Sequence, residues 1–218
     1  PLLAAFGGIA VALVIAVFAY KGPGSTPVLT IVLVGIGAGF TATALATFLM
    51  SSMPGPAAAE AQRWLTGSLA ARDWGHASQV TAIGLILAFV ALGQARTLSA
   101  LELGDTLATG LGLNAEAARW RIAGTAVLLA ATGVAVAGPV PFIAVIAGRV
   151  CVRMTMSRSV SARMISGAGA GALILVLADL VARASISGIQ LPAGVATGLL
   201  GAPYLLWCLS REMERGDL

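Results

Sequence analysis

Few side chains in this chain can do chemistry, and their spacing limits what they can do. Asp179 and Arg183 are four residues apart, so on a helix they share one face with opposite charge. In the outer half of an apolar segment, such a pair neutralises two charges that a bilayer would penalise separately. A direct contact from Arg183 to a ligand or a docking protein is the other use open to it. Arg149, Arg153, Arg158 and Arg163 could meet an anionic substrate, but arginines at the ends of apolar helices are also what cytoplasmic retention leaves there. His76 is the only histidine and has no second ligand or nucleophile beside it, so neither metal binding nor acid–base catalysis is expected. Cys151 and Cys208 lie inside apolar runs, without disulfide or metal-ligand spacing. The run Gly167-Ala168-Gly169-Ala170-Gly171 lacks the preceding strand of a dinucleotide fingerprint, and no Walker A sequence occurs. No catalytic residue and no metal ligand is expected, so the chain reads as a non-enzyme whose energy must come from another chain.

The elements that would hold these residues follow from composition. The 218 residues are 58% hydrophobic and only 10% charged, with a mean hydropathy of +0.95. A soluble domain carries about a quarter charged residues, so an ordinary soluble fold is excluded. Gly and Pro are frequent but form no low-complexity tract, which excludes a disordered or fibrous chain. An all-α polytopic membrane bundle fits. Crossing a bilayer core of about 30 Å takes roughly 20 apolar residues of helix. Seven segments approach that, near residues 2–20, 28–50, 77–95, 122–138, 142–156, 165–182 and 191–209. The fifth is short and carries Arg149 and Arg153, and Gly138-Pro139-Val140-Pro141 breaks the helix before it.

If these spans alternate and Leu218 is cytoplasmic, ten of the 13 basic residues fall on one side and Arg63, Arg72 and Arg183 on the other. Positive charge is retained inside, so a cytoplasmic C-terminus and an external Pro1 are expected. The sequence pI of about 9.8 is then a topology signal, and no nucleic-acid partner is needed to explain it.

Two connecting segments are more than turns. Residues 57–74 read as an external amphipathic helix with Trp64 and Trp74 at headgroup level, serving as an interfacial anchor or an outer gate and docking surface. Residues 97–119 are cytoplasmic and mixed in charge. Thr97 or Ser99 is placed to cap one short helix and Asn114 to start the next, with glycines between. A structured cytoplasmic loop between spans implies a partner.

The residues of that loop carry a resemblance. Leu103-Gly104-Asp105, Ala108, Leu111-Gly112-Leu113 and Arg119 resemble the L-G-E-x-x-A-x-x-L-G-L segment of the FecCD-type permease subunits of type II ABC importers, the iron-siderophore and vitamin B12 family. Trp64 to Ser68 resembles W-x-x-G-S, Gly138 to Ile143 resembles G-P-I-x-F-V, and Asp179 to Arg183 resembles D-x-x-A-R. Leu191-Pro192-Ala193-Gly194-Val195 resembles L-P-x-G-V, and Leu200 to Pro203 the terminal L-G-A-P. Asp105 stands for the usual Glu, Gln190 for a frequent Glu, and of P-H-x-x-R only Arg153 remains.

The resemblance implies a single permease domain, 1–218, holding the last seven of ten spans, so three further helices are expected before Pro1. It implies that Leu103, Gly104, Asp105, Ala108, Leu111, Gly112 and Arg119 form coupling helices against an ATPase. It also points to Trp64, Gly67, Ser68 and Arg183 as an outer gate or binding-protein docking surface. The implied partners are a second permease subunit (same or different), two ATP-binding subunits holding ATP and Mg, and an extracytoplasmic substrate-binding protein; the location is the bacterial inner membrane. The cargo implied is a ferric siderophore, with cobalamin or haem next. The alternatives are an ion-gradient-driven secondary transporter, which needs midplane carboxylates of which Asp179 is the nearest, and an intramembrane enzyme built on His76.

Overall fold

Apolar runs with almost no charge can satisfy their backbone in an apolar medium only as helices or closed barrels. Every regular element in the computed structural model is a helix, with no strand among the described residues 7, 8, 10, 28–69, 73–155, 159–184 and 192–215. Among them, in chain order, are α1 (Val28–Ser51), α2 (Gly55–Leu65), α3 (Trp74–Gly93), α4 (Ala95–Leu101), α5 (Asp105–Gly110), α6 (Ala115–Ala137), α7 (Ile143–Met154), α8 (Val160–Arg183) and α9 (Ala193–Arg215). The chain divides into two compact units, residues 1–62 with 75–136 and residues 63–74 with 137–218.

Three described helices are long and apolar enough to cross a bilayer: Leu33–Ser51, Ala115–Ala137 and Val160–Arg183. The pair Ala77–Gly93 and Ala95–Leu101, bent by 47°, makes a fourth if it is one span, and Ile143–Val152 and Ala193–Cys208 are shorter apolar helices. The expected segments 28–50, 77–95, 122–138, 142–156, 165–182 and 191–209 each overlap these helices in their described part, residues 156 and 191 lying outside the described residues, as does 2–20 except at 7, 8 and 10. At 12 residues, α7 is about 18 Å long, well short of a hydrocarbon core.

In the first unit, α1 keeps its hydroxyls satisfied within the helix. Thr41, Thr43 and Thr47 each donate from Oγ1 to the carbonyl four residues back, at 2.8, 2.9 and 2.9 Å. That back-bonding is what lets threonine sit in an apolar segment. The break between α3 and α4 falls at Gln94, whose Nε2 donates to Thr125 Oγ1 on α6 at 2.9 Å. The Thr125 hydroxyl in turn donates to Arg121 O at 2.9 Å, so a short polar chain fixes the bend against α6. The first short helix of the loop therefore starts at Ala95, ahead of the expected caps. Thr97 and Ser99 lie inside it, and Ser99 donates back to Ala95 O at 2.9 Å. The second expected start holds: Asn114 Oδ1 accepts from the Ala117 amide at 3.0 Å, capping α6.

In the second unit, α8 packs mainly on α7 and next on α9. Small residues set the approach. A methyl added at Gly171 would lie 3.7 Å from Ala147 Cβ, and one at Gly167 would lie 3.8 Å from Cys151 Sγ. Cys151 is buried there, 3.0 Å from Ser166 Oγ, and Ser166 accepts from Thr155 Oγ1 at 2.6 Å. α7 starts from Phe142, the only non-glycine residue with positive φ (65°) among the described residues. Pro139 and Pro141 leave few other conformations open to the link into α7.

Candidate functional site

The loop between α4 and α6 is built inside out for a soluble surface. Ala108 is 0% exposed, while Leu103, Leu107 and Leu111 are 59%, 59% and 66% exposed. Ala95, Ala115 and Ala118 are also buried, so the inner side of this element is alanine and its outer side is leucine. Leu107 lies within α5 and Leu111 ends it four residues on, so those two share a helix face, while Leu103 precedes the turn at Gly104 and is exposed as well. The sequence reading named Leu103 and Leu111 and missed Leu107, although the spacing of four was there to find it.

Glycines at both ends give α5 its independence. Gly104 (φ 94°) precedes it, Gly112 (φ 81°) follows it, and both have open space around the Cα. The turn after α5 closes through Gly112 N donating to Thr109 O at 2.9 Å and Leu113 N donating to Ala108 O at 3.1 Å. Asp105 and Arg119, 14 residues apart in sequence, meet as an ion pair with Arg119 Nη2 at 2.6 Å from Asp105 Oδ1. All seven residues expected in this loop are thus brought into one small element.

The segment expected at the other membrane face folds differently from its reading. α2 ends at Leu65 instead of continuing to residue 74, because Gly67 takes φ 72° and turns the chain. Residues 70–72, with Arg72, lie outside the described residues, and Trp74 is the exposed first residue of α3. Gly67 and Ser68 are held in a backbone junction within the second unit. Ser68 N donates to Ala137 O at 2.8 Å and Gly194 N donates to Gly67 O at 3.1 Å. A methyl on Gly67 would lie 2.6 Å from Pro139 O, and one on Gly138 would lie 2.6 Å from Trp64 O. A methyl on Gly194 would overlap the Thr66 carbonyl, and one on Gly201 would overlap the Phe142 side chain. Three separate motifs of the sequence, around Gly67, Gly138 and Gly194, therefore meet as bare backbone. Their glycines are there because nothing larger fits.

Asp179 and Arg183 form their pair as the spacing requires, with Arg183 Nε at 2.7 Å from Asp179 Oδ2. The arginine is 61% exposed and the carboxylate 20%, so the pair presents its cationic end. His76 lies in the first turn of α3, and its side chain, like that of Arg153, falls outside the described residues, as does Arg158 altogether. Among the described residues no group of His, Cys, Asp and Glu could hold a metal ion.

Long apolar helices, a leucine-faced loop and a glycine-built junction define an all-helical membrane protein of several spans. The chain belongs to the FecCD transport family, whose model matches residues 1–211. It is 34% identical to the Fe(3+) dicitrate transport system permease protein FecD of Escherichia coli (strain K12), over 97% of this chain and 64% of that protein. It is 35% identical to the iron(3+)-hydroxamate import system permease protein FhuG of Bacillus subtilis (strain 168), over 97% of this chain and 62% of that protein. In fold it matches a metal-chelate type ABC transporter solved in an inward-facing conformation, with a TM-score of 0.79 at 24% identity, over 94% of this chain and 65% of the other. The chain thus spans a little under two thirds of the length of each of these three proteins.

Proposed function

We propose that this chain forms the translocation path of an ABC importer for a ferric siderophore, with cobalamin or haem as the next cargo classes. It supplies the last seven of ten spans as one permease domain in the bacterial inner membrane, with its C-terminus in the cytoplasm. A second permease subunit lines the other side of the path. An extracytoplasmic binding protein delivers the chelate, and two ATP-binding subunits, holding ATP and Mg, drive the cycle.

The observation that supports this reading is the set of exposed leucines in the α4–α6 loop. Leu103, Leu107 and Leu111 stand outside an alanine interior, next to charged Asp105 and Arg119. Apolar side chains displayed among charges are costly in water and mark a protein interface. Closure of the ATPase pair presses on those leucines, and the permease subunits rock to alternate access. At the outer face, exposed Arg183 offers a cation to an acidic patch on the binding protein, with Asp179 holding it in place. Trp64, Gly67 and Ser68 support the outer gate through the junction with Gly138 and Gly194 and do not touch cargo themselves.

Leu111→Asp and Gly104→Trp should each abolish binding-protein-stimulated ATP hydrolysis by the reconstituted complex while the binding protein still docks. Wild-type stimulation in both would remove the coupling role from this loop.

A further inference from the structure

We infer that the Asp105–Arg119 ion pair is the strut that makes α5 and α6 move as one lever; this rests on the coupling role proposed for the loop and assigns a positioning task to two of its residues. The need for a strut follows from the elements. α5 has six residues, too few for a helix to persist by itself. It is flanked by Gly104 and Gly112, both in left-handed backbone with nothing within 4 Å of an added methyl. Two unhindered glycine pivots let a push on Leu107 and Leu111 rotate α5 in place, and the stroke would be lost in the turn.

Packing of α5 on α4 opposes that rotation, and so do three more local contacts. One is the burial of Ala108, and another is the backbone turn from Leu113 N to Ala108 O at 3.1 Å. Both act near the C-terminal end of α5. Asp105 is the first residue of α5, so its bond to Arg119 fixes the opposite end and reaches past the turn into α6. Arg119 sits in the second turn of α6, a 23-residue helix, and its guanidinium passes the displacement to that rod. Both partners are more than half exposed, so the pair adds little to folding stability. What it contributes is direction, because a charge-assisted bond of 2.6 Å constrains the orientation of a helix that glycines leave free.

The test uses the assembled importer of full-length subunits in proteoliposomes. Nitroxide labels at Thr106→Cys on α5 and Leu128→Cys on α6 report the distance between the two helices, while Cys151 and Cys208 are buried. The parent complex should give one narrow distance distribution, unchanged when ATP, Mg and vanadate trap the closed ATPase. Asp105→Asn should broaden it and shift it on trapping, and 55Fe uptake from ferric citrate per ATP hydrolysed should fall by up to about fivefold, the most an exposed pair supplies. Asp105→Glu should restore both readouts, and so should the charge exchange Asp105→Arg with Arg119→Asp. A narrow, unshifted distribution and unchanged uptake per ATP in Asp105→Asn would overturn the strut, as would failure of both the Glu variant and the exchanged pair to rescue. Should ferric citrate not be carried at all, the distance measurement decides alone. A parent complex in which Leu111→Cys cannot be crosslinked to the ATPase would instead overturn the coupling reading beneath it.

Discussion

Gly67 and Gly104 both hold left-handed backbone, yet a side chain at each meets different surroundings. At Gly67 a methyl strikes the Pro139 carbonyl at 2.6 Å, whereas at Gly104 it enters open space. Gly67→Ala should therefore destabilise by about 2 kcal/mol or more, from backbone strain and overlap together. Gly35→Ala, in a helical site with nothing within 4 Å, should be neutral or slightly stabilising. Thermal unfolding of the two variants in detergent separates them; equal midpoints would mean that the backbone junction is not formed. The Asp179–Arg183 pair was legible in the sequence because four residues on a helix fix the neighbours. Asp105 and Arg119 could be named only as members of one loop, since their pairing depends on a turn whose two glycines must first be placed. The close approach at Gly194 was equally hidden, because it joins segments more than a hundred residues apart.

The elements divide the same way. Apolar runs located the long helices, and Asn114 marked the start of α6, since an Asn side chain can cap only from outside the helix. Asn114→Ala should cost about 1 kcal/mol by removing the bond to the Ala117 amide. The extent of α2 was misread because Gly67 inside a helical pattern carries no sign of its φ, which is imposed by Pro139 and Gly194 arriving from elsewhere. The start of α4 was misread for a related reason. Thr97 and Ser99 look like caps, but the bend is fixed by Gln94 reaching Thr125, a partner 31 residues away. Thr125→Val leaves the half-buried Gln94 amide without that partner and should cost about 1–3 kcal/mol. Thermal unfolding and hydrogen exchange at residues 95–101 check both variants: α4 should lose protection in Thr125→Val and keep it in Asn114→Ala.

For the whole molecule, composition gave the membrane, the basic residues gave a proposed orientation, and six short motifs in order gave the family that the comparisons bear out. What composition cannot supply is the driving force. An apolar chain with few ionisable groups is as compatible with a gradient-driven carrier as with a passive arm of an ATPase. The observed surfaces favour the second: the carboxylate best placed for proton relay, Asp179, is engaged with Arg183 in the last turns of α8, and the leucines of the α4–α6 loop face outward. The most direct measurement is 55Fe uptake from ferric siderophores by cells carrying this chain with the ATPase subunit proposed for it, against cells whose ATPase has lost its Walker lysine. Uptake should vanish in the lysine variant and persist in the parent when a protonophore collapses the gradient while ATP is maintained. Uptake that survives loss of the Walker lysine and stops with the protonophore would contradict the account.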